Sequence, residues 1–242
     1  MKSTKTENNN FSMEDFEKGL MLAGYIMPNS IAEHNEREQL EQYENELKEK
    51  QPKNMYFKRV VLAAEIASKL YAEPSLGRIK FQKLVYLCEH AAEMDLTNRY
   101  QKQTAGPFDN KFMHSIDKEF KKNRWFLVEK QIDGNITRTK YIPLENAESY
   151  KHYYDNYFKK ENEKIQFIIE LFRTKKTDYT ELATTVFACF KELSAKNEIV
   201  AKQELLNLFY SWSEKKKRFT EKEVLDSLTW LQKNGLVSQS FV

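Results

Sequence analysis

The chain has 242 residues, with 39 Lys and Arg against 36 Asp and Glu, a net charge of +3, 40% hydrophobic and 31% charged residues. That is enough for one large domain or two small ones, and a globule of this size buries roughly 70% of its unfolded surface without a disulfide staple. Six Gly and five Pro beside abundant Lys, Glu and Leu argue for a mostly helical protein, and no apolar run approaches the ~20 residues of a membrane span.

The charge is unevenly spread. Residues 1–54 carry seven basic and eleven acidic side chains, which leaves 32 and 25 for the rest. An acidic arm on a mildly basic body is compatible with nucleic-acid contact without requiring it. Cys88 and Cys189 sit in apolar helical contexts and read as small buried hydrophobes of a reducing compartment. Met1 is followed by a polar, Asn-rich stretch rather than a signal peptide. The expected location is the cytoplasm.

Taken in chain order, residues 1–12 are polar, and a short helix is expected over Met13–Gly24, ended by Pro28. A second helix, about Ser30–Lys50, is mostly polar and carries Leu40, Tyr43 and Leu47 at heptad-like spacing. This arm reads as a surface for a partner, with those three residues as the contact, or as a solvated connector. The body begins near Met55 with a periodic helix (Phe57, Val60, Val61, Ala64, Ile66, Ala67, Leu70) that breaks at Pro74.

Two motifs about twenty residues apart follow. LGRIKFQKLVYL, Leu76–Leu87, predicts an amphipathic helix running to Met94 with Arg78, Lys80 and Lys83 among its apolar residues. QTAGPFDNKF, Gln103–Phe112, predicts a break at Gly106-Pro107 and a helix over Asp109–Asn123, capped by Asp109. WFLVEKQI and ITRTKYIPL then flank Asp133-Gly134-Asn135, a hairpin signal. Helix, break, helix and hairpin is the layout of a winged-helix unit, with the hairpin as wing.

The ordered pair of motifs resembles two bacterial groups: the winged-helix-like modules attached to subunits of type I restriction–modification systems, and the Panacea antitoxin domain with its "KLQKLLY" helix and later "GP" turn. The likeness spans Phe57–Leu144. It implies a non-enzymatic module of a bacterial defence system. In the first group that is a DNA-binding or subunit-docking accessory; in the second it is an antitoxin that neutralises a co-encoded toxin by binding it. Neither group supplies catalytic residues through these motifs.

Beyond the hairpin, one helix is expected over Glu145–Thr174, with Ile165, Phe167, Ile168, Ile169, Leu171 and Phe172 buried on most sides. Helices at about Glu181–Ala195 and Val200–Ser213 follow. The last starts at the capping box Thr220-x-x-Glu223 and ends at Asn234-Gly235, with LVSQSFV as a possible closing strand.

The expected architecture is therefore mainly α: an N-terminal arm (1–54), a winged-helix-like unit with a β-hairpin wing (55–144) and a helical C-terminal region (145–242). On Asp109–Asn123, Phe112, Ile116 and Phe120 form an inward stripe. Lys111, His114, Lys118, Lys121 and Lys122 then point away, toward phosphates and base edges of duplex DNA, or toward solvent or a protein. Arg138 and Lys140 on the wing extend the basic surface. Lys215, Lys216, Lys217 and Arg218, beside Trp212 and Phe219, form a second basic cluster suited to a phosphate backbone.

Chemistry is not indicated. Asp109 with Glu119-x-Lys121 mimics a nuclease pattern, but ten positions along one helix separate the carboxylates by ~15 Å, too far to share a cation. His34, His90, His114 and His152 are scattered, and no phosphate-loop, dinucleotide or metalloprotease motif occurs. The expected partners are double-stranded DNA and a protein such as a restriction subunit or toxin. No catalytic residue, metal or cofactor is expected.

Overall fold

The structure is a computed structural model and describes residues 55–94, 101–103, 106–108, 110–133, 136–196 and 199–238. Residues 55–242 form one compact unit, divided from residues 1–54. The expected helices of the arm, with Leu40, Tyr43 and Leu47, lie outside the described residues, as does Asp109.

The elements are α1 (55–70), α2 (Arg78–Ala91), β1 (Gln101–Gln103), β2 (Gly106–Phe108), α3 (Asn110–Lys122), β3 (Phe126–Asp133) and β4 (Ile136–Pro143). After them come α4 (Lys151–Tyr157), α5 (Asn162–Phe172), α6 (Thr177–Ser194), α7 (Lys202–Ser211), a 3-10 turn (Glu214–Arg218) and α8 (Glu221–Lys233). The fold is mainly α, with a winged-helix-like unit whose wing is the β3–β4 hairpin. Its antiparallel pairing runs from Phe126 opposite Pro143 to Asp133 opposite Ile136. A second, three-residue hairpin, β1–β2, pairs Gln103 with Gly106, where the sequence motif predicted only a break at Gly106-Pro107.

One core runs through 55–242. α1 is buried nearly all round, so Val60, Val61, Leu62, Ala63, Ala64, Ile66 and Ala67 show no exposed surface; such a helix belongs in the interior. Its buried polar groups are all matched. Arg59 Nε donates to Glu89 Oε1 at 2.6 Å, and Glu65 accepts from the Tyr150 hydroxyl at 2.6 Å and from Gln166 Nε2 at 2.8 Å. On α3, Phe112, Met113, Ile116 and Phe120 are buried. The wing closes over them, with Phe120 5.3 Å from Phe126 and Tyr141 4.5 Å from Phe81 between ring centroids.

Three expectations are corrected. First, residues 145–174 are not one helix. A turn occupies 145–150, and α4 and α5 are separated at Phe158–Glu161. The start is pinned from outside: Leu144 N–H donates to Trp125 O at 2.9 Å and Asn146 N–H to Arg124 O at 3.0 Å. Two different buried stripes, Tyr150/Tyr154/Phe158 and Ile165/Ile168/Ile169/Phe172, then need two helix directions. Second, α5 buries one side only, and Phe167 is 42% exposed. Third, Leu236 and Val237 are buried, but residues 236–238 form no strand.

At the C-terminal end, Thr220 accepts from Glu223 N–H at 3.2 Å while Glu223 Oε2 accepts from Thr220 N–H at 2.8 Å, the expected capping box. Thr220→Ala is expected to cost about 1 kcal/mol, measured as a lowered denaturation midpoint at unchanged slope.

Candidate nucleic-acid interface

The two motifs meet at one atom. Gln82 Nε2 and Lys83 Nζ, adjacent on α2, both donate to the Pro107 carbonyl, at 2.7 and 2.6 Å. Proline supplies no N–H of its own, so β2 is tied to the helix through its carbonyl. The other basic residues of the first motif are also spent inside the fold. Lys80 Nζ donates to Arg173 O at 2.8 Å, Lys175 O at 2.7 Å and Ser75 Oγ at 2.7 Å. It thus satisfies carbonyls just past the C-terminus of α5, where orphan acceptors and the negative helix pole attract an ammonium. Burial pushes the Lys80 amine down to about 8 and the Lys83 amine to about 7. Lys216 close by lowers Lys83 further, and Glu181 partly offsets this.

Arg78 turns to α3. Its Nη1 is 2.5 Å from Asp117 Oδ1 and its Nη2 donates to Met113 O at 2.8 Å. This neutralises one of the acids that would dilute α3's positive face. The other, Glu119, accepts from Asn123 Nδ2 at 3.2 Å and pairs with Lys122 at 3.9 Å. His114, Lys118, Lys121 and Lys122 are all exposed. Among the described residues, His114, Lys118 and Lys121 have no hydrogen-bond or ion-pair partner. Lys111 lies on α3, and its side chain is outside the described set.

On the wing, Arg138 and Lys140 are exposed while Thr139 and Tyr141 between and beyond them are buried. Strand alternation puts Arg138 and Lys140 on the outer face, away from α2 and α3. There Lys140 stands opposite Glu129 and Arg138 opposite Gln131. The structure does not bring these two cations onto the α3 face.

The second basic cluster is corrected. Lys216 is fully buried, with Nζ 2.8 Å from Glu181 Oε1 and 3.0 Å from Thr185 Oγ1; it is removed from the nucleic-acid set. The reason is the 3-10 turn: with three residues per turn, successive side chains diverge by about 120°, so four in a row cannot share a face. Lys217 pairs with Glu214 at 2.7 Å, and Arg218 pairs with Asp178 at 3.1 Å and Glu181 at 3.3 Å. Lys215 remains exposed. Phe219 is buried and stacks under Arg218, 4.7 Å from ring centroid to guanidinium, so it offers no platform for a base.

Sequence reasoning missed a cleft of about 480 Å³ at the C-terminal end of α3, whose walls include Lys122, Arg124, Ser149 and His152. Its residues come from two elements separated by the wing, and no periodicity links them. Among the described residues, no three His, Cys, Asp or Glu side chains come together as a metal site, and no helix is long and apolar enough to cross a membrane. Cys88 and Cys189 are both buried, and burial pushes the Cys88 thiol up. Neither a protein-family model nor any of the curated proteins compared matches the chain.

Proposed function

We propose that the protein is a non-enzymatic accessory that binds duplex DNA through the outward face of α3. The observation that carries this reading is the sorting of charge on one helix. Asp117 and Glu119 are engaged by Arg78 and by Asn123 with Lys122, while His114, Lys118 and Lys121 face solvent with no partner among the described residues. With both acids paired and Lys118 and Lys121 turned outward, the helix presents a net positive strip, the requirement for phosphate contact. The helix is followed by a β-hairpin, as the reading helix of a winged-helix unit is. The resemblance to restriction-system modules supports the same role.

The test is a mobility-shift titration of a short duplex over a salt series. The wild-type chain is expected to bind with an affinity that falls steeply with salt. Changing Lys118, Lys121 and Lys122 together to Glu should lower affinity at least a hundredfold while leaving the thermal transition in place, since all three lie off the buried stripe. A wild-type chain that leaves the duplex free at low salt overturns the proposal. In that event, co-purification with the product of a neighbouring gene tests the antitoxin-like alternative.

A further inference from the structure

Apart from Lys122, the residues that form the cleft at the end of α3 are not used by the α3 reading. Lys122 and Asn123 close the helix, Arg124 follows, and Ser149 and His152 face them from the turn before α4 and from α4 itself. α3 ends in a double reverse turn, with Trp125 N–H donating to Phe120 O at 2.9 Å and Arg124 N–H to Lys121 O at 3.1 Å. This motif requires a left-handed residue at the position of Arg124, whose φ is 55°. Glycine takes that conformation without strain, as Gly235 does at the end of α8 with φ 63°. At 124 the position is held instead by an arginine whose side chain is 67% exposed and whose one described ion pair is with the exposed Glu145, at 2.9 Å.

The far wall is held in place. Trp125 Nε1 donates to Ser149 Oγ at 2.9 Å, and His152 Nδ1 donates to Ser149 O at 2.6 Å. That leaves His152 Nε2 without a partner among the described residues.

We propose that this cleft is a phosphate-binding site that takes a backbone phosphodiester of the duplex lying along α3, with Arg124 as its principal cation and Lys122 and His152 beside it. This rests on the DNA-binding reading and extends the contacted strand past the helix end. The cleft is open to solvent rather than enclosed, as contact with a phosphate still joined to its duplex requires. Lys122 and Arg124 continue the strip begun by Lys118 and Lys121. A guanidinium is the group that grips phosphate bidentately. Glu145 holds Arg124 in the free protein and is displaced when the phosphate arrives.

Two variants of the full chain test this in the same salt-series titration. Arg124→Gly relieves the left-handed backbone, so its melting temperature should equal or exceed that of wild type. Its duplex affinity should nonetheless fall about tenfold, and the slope of log K against log salt should shrink by about one. Glu145→Gln frees Arg124 and should tighten binding severalfold. If Arg124→Gly leaves affinity and slope unchanged while the α3 triple variant abolishes binding, the cleft assignment is wrong and the α3 reading stands. If the wild-type chain binds no duplex at low salt, both fall.

Discussion

Glu181→Ala is expected to cost about 3–5 kcal/mol of folding stability. Glu181 on α6 is the carboxylate that meets the fully buried Lys216, at 2.8 Å, and it also reaches Arg218 at 3.3 Å. Burial already pushes the Lys216 amine down, and Glu181 is the chief influence holding it charged. Without that carboxylate Lys216 keeps, among the described residues, the Thr185 hydroxyl and the Phe209 ring face 5.9 Å away, and an ammonium in a dry interior must then stay largely uncompensated or lose its proton. Arg218 is less affected, because it is half in water and retains Asp178. Replacing both partners, Glu181→Leu with Lys216→Met, should recover most of the loss, since an apolar pair of similar volume is often as stable as a buried ion pair. Denaturant melts of the three proteins check this. A loss below about 1 kcal/mol for Glu181→Ala, the range of surface pairs, would show that Lys216 finds water instead.

Lys83→Met should stabilise the protein at neutral pH, and the gain should shrink as pH rises. Burial first, and the neighbouring Lys216 second, bring the Lys83 amine from its ordinary 10.5 to about 7. Below pH 10.5 the unfolded chain takes up a proton that the folded one refuses, so stability declines from there until the folded amine also protonates near 7. Below that the penalty is constant. At 1.36 kcal/mol per tenfold step, the penalty at pH 7 has an upper bound of roughly 4 kcal/mol. Methionine keeps the volume, and Pro107 O keeps the bond from Gln82; the lost lysine bond removes about 1 kcal/mol of the gain. Melting temperatures of the pair from pH 7 to 10 give the result as a difference, in which the titration of other groups cancels. A difference that stays constant with pH would mean that Lys83 is charged in the fold.

Much of the architecture could be read from the sequence. The 3.6-residue recurrence located α1, α2 and α3, the Asp133–Asn135 signal located the wing, and Thr220 with Glu223 located the start of α8. Local periodicity failed where polar groups are satisfied by distant backbone. On α2 it placed Ile79 with the apolar residues and Lys80 and Lys83 with the basic ones. In the fold Ile79 is 41% exposed and both lysines are fully buried. The acceptors that draw them in are Arg173 O, Lys175 O and Pro107 O. Leaving such carbonyls buried and unmatched costs more than burying an alkyl-stemmed amine that bonds them. The same blindness put Lys216 on a basic surface. Charges on α3 were better read because Phe112, Ile116 and Phe120 fix its orientation locally. The cleft at Arg124 was invisible because its opposing wall belongs to the turn that broke the predicted 145–174 helix.

The bonds of Lys80 also govern how the chain comes off the ribosome. Its carbonyl partners follow it by 93 and 95 residues. At typical synthesis rates that is an interval of about 5–20 s. During this time the helical first motif has an amine aimed at a neighbour not yet made. Docking of the nascent N-terminal helices therefore waits on translation of α5. A chain arrested after the wing would present those helices to chaperones rather than complete its interior.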